Sequence, residues 1–185
     1  MAKPTDYTLY SGGHVGAESF FGECAEKWGV QEVTFSFDGH YIKREKNVVM
    51  LSEKDLCRGD ISMEIVSMHM HRKYSNSEKI KSVLQSIFHM VHKSEQIFAI
   101  GEIQADNTVK GGTGWAVELG KFFNRDVHVF DKTVNKWFTW MQAEWREDEP
   151  VISRQAFCGT GSRNLSEGSQ KAILALYERS FDKKL

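Results

Sequence analysis

Two stretches of the sequence place glycines, a polar turn residue and a carboxylate where a chain passes from a short β-prone run into a helix. The first is Ser11-Gly12-Gly13-His14-Val15-Gly16-Ala17-Glu18, and the second is Gly111-Gly112-Thr113-Gly114-Trp115-Ala116-Val117-Glu118. Glycine lets a backbone approach a ligand closely and take positive φ. The unpaired amides and positive dipole end of the following helix then favour a phosphate. Neither stretch ends in the Gly-Lys-Ser/Thr of a nucleoside triphosphatase, and neither matches GxGxxG, so a classical dehydrogenase is disfavoured too. Tight strand–helix packing also uses glycine; two such turns on one sheet edge shift the weight towards a phosphate-containing ligand spanning both.

Other residues add chemistry around these turns. Glu18, in the first turn of its helix, is a ribose-binding or acid/base candidate, with helix-dipole stabilisation as the plain reading. His14 could donate to a phosphate, and Trp115 could stack on a base. Asp131 closes an apolar run and either contacts ligand or caps the next element. Gly159-Thr160-Gly161-Ser162-Arg163 reads as a turn before the last helix, with Arg163 available for phosphate. His69, His71, His89 and His92 suggest a metal cluster, but no Asp or Cys lies near them with recognised spacing, and no metal is expected.

These residues need elements to hold them. A strand over Tyr7–Tyr10 precedes a helix whose apolar positions run from Ala17 to Trp28 and stop at Gly29. Gln31–Phe37 alternates as a second strand. Residues 38–60 give no clear element, and Arg44-Glu45-Lys46-Asn47 reads as a solvated loop. Helices are expected over Ile61–His71 and Ser77–His92, a doubly covered strand over Gln96–Ile100, a helix over Trp115–Phe123 and a strand over Asp126–Phe130. Lys136–Met141 is a strand or edge segment, and a final helix runs from Ser166 to Phe181. Strands alternating with helices imply an α/β, Rossmann-like fold: a mainly parallel sheet with helices on both faces, its ligand beyond the carboxyl ends of the strands.

The paired motifs Ser-Gly-Gly-x-x-Gly-Ala-Glu and Gly-Gly-x-Gly-x-x-x-Glu resemble those of the SLOG superfamily of Rossmann-like nucleotide-binding proteins. That group includes the LONELY GUY phosphoribohydrolases, the DNA-processing protein A family and nucleotide-sensing domains. The resemblance spans roughly residues 7 to 131, with the tail from Phe157 to Phe181 as a subgroup feature. It implies one SLOG-type domain over residues 1–185, binding a nucleotide or ADP-ribose-like small molecule through Ser11, Gly12, Gly13, His14, Gly16, Gly111, Gly112, Thr113, Gly114, Trp115, Asp131 and Arg163. In the phosphoribohydrolases the second motif's glutamate acts at the ribose during N-glycosidic cleavage; that role falls on Glu118, with Glu18 second. The substrate-contacting arginine of those enzymes falls near Ser86, where this chain has none. Met68-His69-Met70-His71-Arg72-Lys73 is similar in composition but lies a helix too early. The missing arginine favours the alternative, a non-catalytic sensor or sequestering protein. The resemblance further implies a homodimer.

Composition sets the remaining bounds. With 185 residues and a hydrophobic fraction of 41%, the chain can build a substantial core. Lys+Arg total 24 against 25 Asp+Glu, for a net charge of -1, which disfavours a general nucleic-acid binder. Three cysteines without a CxxC pair argue against disulfides and structural zinc and fit a reducing cytoplasm. No signal peptide and no membrane-length apolar run is visible. No cofactor is expected.

Overall fold

The computed structural model describes residues 3–74 and 77–181; Met1 and Ala2, part of the stretch read for a signal peptide, lie outside them. β1 (Thr8–Ser11) leads through the first glycine turn into α1 (Ala17–Trp28), which Gly29 ends in the left-handed conformation that glycine adopts without cost. β2 (Gln31–Phe37), β3 (Val48–Leu51), α2 (Glu53–Leu56), α3 (Asp60–His69) and α4 (Glu78–His92) follow. Then come β4 (Gln96–Gly101), α5 (Thr113–Phe122), β5 (Asp126–Asp131), β6 (Lys136–Met141), β7 (Glu144–Glu147), β8 (Ala156–Gly161) and α6 (Glu167–Phe181).

Among the described residues eight strands form one sheet in the order β3-β2-β1-β8-β4-β5-β6-β7. The first six are mutually parallel, and β6 and β7 add an antiparallel hairpin at one edge. Alternation along the strands divides the core in two. Ile97 and Ala99 of β4 pack with Val66, Phe88 and Val91 under α3, α4 and α5, whereas Phe98 and Ile100 pack with Phe21, Phe157 and Tyr177 under α1 and α6. The mainly parallel, doubly covered sheet is the Rossmann-like architecture that the alternating pattern implies.

Two expectations are corrected. The stretch Ala156–Gly161 is a strand at the centre of the sheet, between β1 and β4, and not a turn appended to a complete core. Its glycines hide the strand in the sequence, because glycine ordinarily weakens one. Here they permit close approach: a Cβ on Gly159 would lie 2.6 Å from Cγ of Phe21, and one on Gly161 would lie 2.5 Å from the Ile100 carbonyl. The second correction concerns Arg44, which is not a solvated loop residue. Its guanidinium donates to both carboxylate oxygens of buried Glu32, at 2.9 and 2.7 Å, and to Glu26 at 3.0 Å. That pairing folds the segment before β3 over the first glycine turn, where the amides of Lys43 and Arg44 donate to the Gly13 carbonyl.

Candidate functional site

The carboxyl ends of β1, β8 and β4 lie side by side. β8 feeds α6 on one face of the sheet and β4 feeds α5 on the other, so a crevice opens between them, the place where open α/β sheets take ligands. The cavity there measures about 480 Å³. It is lined by Gly12, His14 and Glu18 from the first turn, Gly111, Gly112 and Thr113 from the second, and Arg163 after β8. Both turns and Arg163 therefore meet in one cavity.

The two turns differ in what they offer. In the first, the Gly13 amide donates to Ser11 Oγ, the His14 amide to Glu18 Oε2 and the Ala17 amide to the Ser162 carbonyl. These three donors shape the turn and fix Glu18. In the second, the Gly111, Gly112 and Thr113 amides have no protein acceptor among the described residues, and they open α5. Arg72, which follows α3, holds this second turn from behind. It donates to the Gly111 carbonyl at 3.1 Å, to Gln104 Oε1 at 2.7 Å and to Thr108 Oγ1 at 3.1 Å. Arg72 lies in the basic run that the sequence singled out, but its side chain grips the loop backbone.

Charge is unevenly distributed in the cavity. Lys110 stands at the second turn, and Lys132 and Arg163 stand at the loop after β8, with Arg163 also close to His40 and the first turn. Lys110 pairs with Glu102, Lys132 reaches Ser162 Oγ, and Arg163 makes no ion pair among the described residues. On the other side, Glu18 accepts from the His14 amide at 3.0 Å and from Thr160 Oγ1 at 2.8 Å. Burial raises its carboxyl above the usual range, and those hydrogen bonds only partly oppose the shift. His40 also lines the cavity, stacked on Phe37; burial, with His14 and Arg163 nearby, pushes it down to about 4. Val83, Ile87 and Met90 of α4 give this side an apolar wall.

Several residues named from the sequence stand elsewhere. Glu118 is buried outside the cavity lining and forms a 2.8 Å ion pair with Lys121, whose ammonium lies 3.8 Å from the Trp140 ring. Trp115 is a core residue packed against Tyr74. Asp131 caps the turn after β5, accepting from Thr133 and from the Ile103 amide. Ser11, Gly13, Gly16 and Gly114 shape the turns without lining the cavity; a Cβ on Gly114 would lie 2.0 Å from the Val109 carbonyl. His92 stacks on Phe88, and His89 meets the Asp55 carbonyl. Among the described residues no group of three or more His, Cys, Asp or Glu could hold a metal ion. His40 and Lys132 carried no motif signal and reach the cavity only through the strand order, whereas Lys110 directly precedes the second turn and Thr160 lies in the glycine run before the last helix.

The fold and its crevice place the molecule among Rossmann-like α/β proteins. A solved structure with this fold is that of a putative molybdenum carrier protein from Syntrophus aciditrophicus SB, with a TM-score of 0.56 and 14% identity over 96% of each chain. No protein-family model and no curated protein matches the chain. No described helix is long and apolar enough to cross a membrane.

Proposed function

We propose that the protein binds a nucleotide or nucleotide-derived small molecule in the crevice between β8 and β4, as a SLOG-type binding protein. The carrying observation is the set of free amides at Gly111–Thr113 opening α5, with Lys110, Lys132 and Arg163 lining the same cavity. Free amides at a helix start and converging cations are what a phosphate requires. The cavity volume suits a mononucleotide-sized ligand.

Binding without cleavage is the reading that the side chains favour. Glu118, the acid that the resemblance implies for N-glycosidic hydrolysis, is committed to Lys121 away from the cavity. The carboxylates that do line it are Glu18 and Glu102, and Glu102 is paired with Lys110. A role in holding or sensing a ligand fits this arrangement, and the fold neighbour's description as a carrier is compatible with it.

Calorimetry with nucleoside mono- and diphosphates and ADP-ribose tests the proposal, with chromatography of each ligand after incubation. Saturating ligand is expected to raise the melting temperature. Arg163→Gln is expected to weaken binding by about tenfold, the loss of one charge-assisted contact. No heat with any ligand overturns the proposal, and release of a free base establishes the hydrolytic alternative.

A further inference from the structure

Within the cavity the free amides and the unpaired cations stand apart. The amides belong to Gly111–Thr113, where Lys110 is already paired with Glu102 and Arg72 grips the loop from behind. The lining lysine and arginine without an ion pair among the described residues are Lys132 and Arg163, and both stand at the loop after β8. Lys132 donates to Ser162 Oγ. Arg163 closes on the first turn: a Cβ on Gly16 would lie 2.3 Å from its carbonyl oxygen.

His14 and His40 line the cavity at the same end, with ring centroids 6.3 Å apart. Burial depresses the His40 pKa, and the neighbouring His14 and Arg163 add to the shift. This end therefore gathers basic groups that repel one another. The carboxylate beside them does not relieve the crowding. Glu18 faces His14, but burial raises its carboxyl, and it already accepts from the His14 and Gly12 amides and the Thr160 hydroxyl. What the cluster lacks is an anion, and it meets the open cavity where one can enter.

The sheet itself separates this end from the free amides. The first turn continues β1 and the loop to the second turn continues β4, with β8 between them, so their roots lie two strand spacings apart, about 10 Å. Neighbouring phosphates of one diphosphate chain are too close together to occupy both ends. A nucleoside phosphorylated on two sides of its ribose spreads its charges further. Val83, Ile87 and Met90 then supply an apolar wall for its base.

We infer that the loop after β8 forms a second anion subsite, built by Arg163 and Lys132 with His14 and His40, and that the ligand is a nucleoside bisphosphate whose other phosphate lies at the Gly111–Thr113 amides. The inference rests on the nucleotide-binding reading above and names its ligand class. The test is calorimetry of the full chain near neutral pH with adenosine 3′,5′-bisphosphate, ADP and AMP. The first two carry the same number of phosphates and differ in how far apart they are. The bisphosphate is expected to bind at least about tenfold more tightly than ADP, the gain of a separate charge-assisted contact. Arg163→Gln and Lys132→Gln are each expected to narrow that gap by at least about threefold. Damage to the fold would weaken both ligands together and leave the gap as it was. A smaller gap in the wild type, with AMP still binding, overturns this inference and leaves nucleotide binding standing. A tenfold gap that neither variant narrows puts the second phosphate elsewhere and overturns it too. Silence with all three nucleotides overturns both readings.

Discussion

His128 is buried on β5 with its ring stacked on Phe98, and its nitrogens face Thr139 Oγ1 at 2.7 Å and Gln96 Nε2 at 3.0 Å. Thr139 donates its own proton to Asp148, so the imidazole must donate to Thr139 through Nδ1 and accept from Gln96 through Nε2. That arrangement requires a neutral ring, and burial pushes the group down to about 4. The unfolded chain takes up this proton near pH 6.5, whereas the folded chain refuses it until about pH 4. Stability therefore falls as pH drops through that window, by up to about 1.4 kcal/mol per pH unit per group. His40, also held near 4 by burial, adds a loss of the same sign. Urea unfolding between pH 4 and 7 is expected to show this slope. In His128→Phe, which keeps the ring stack and gives up two hydrogen bonds, the protein is expected to be weaker at pH 7 with a slope shallower by about one proton. An unchanged slope would assign the acid sensitivity to other groups.

The loop between β4 and α5 is a small element built around one arginine. Ile103 and Val109 pair across it, and Arg72 ties its two arms to the turn that opens α5. In Arg72→Ala, exchange of the Gln104, Lys110 and Gly114 amides, which the loop holds to the Thr108, Glu102 and Gly111 carbonyls, is expected to accelerate by about tenfold or more with a far smaller change at β4, read by hydrogen exchange. At β8 the critical element contact is Gly159 against Phe21. Gly159→Ala is expected to cost about 1–3 kcal/mol, the usual cost of overpacking, read by the urea midpoint. These two elements also show where the sequence was legible. The run Gln96–Ile100 announced a covered strand because all of its residues are buried, and the α4 stripe and the Gly29 stop were equally plain. Ala156–Gly161 was not legible as a strand, because the close packing that makes its glycines necessary comes from Phe21 of α1 and Ile100 of β4, both far earlier in the chain. The glycine turns correctly marked the sheet edge. The direction in which Glu118 and Trp115 point was beyond them, since helical phase at a turn depends on the loop that precedes it.

At the scale of the whole molecule, the sheet has two halves, β1–β3 and β4–β7, that meet only through β8. A chain ending before Ala156 would leave the facing edges of β1 and β4 without their ladder partner, and α1 without the helix packed beside it. Such a truncated chain is expected to lose cooperative urea unfolding altogether, whereas an accessory tail would cost it only part of its stability. The same arrangement governs how the protein is made. Synthesis delivers the keystone of the sheet after the seven strands it joins, so until then two incomplete β-ribbons wait with sticky apolar faces and open backbone edges. The nascent polypeptide thus spends its most aggregation-prone interval before β8 is made, and chaperone engagement should peak there and collapse once β8 has emerged from the ribosome.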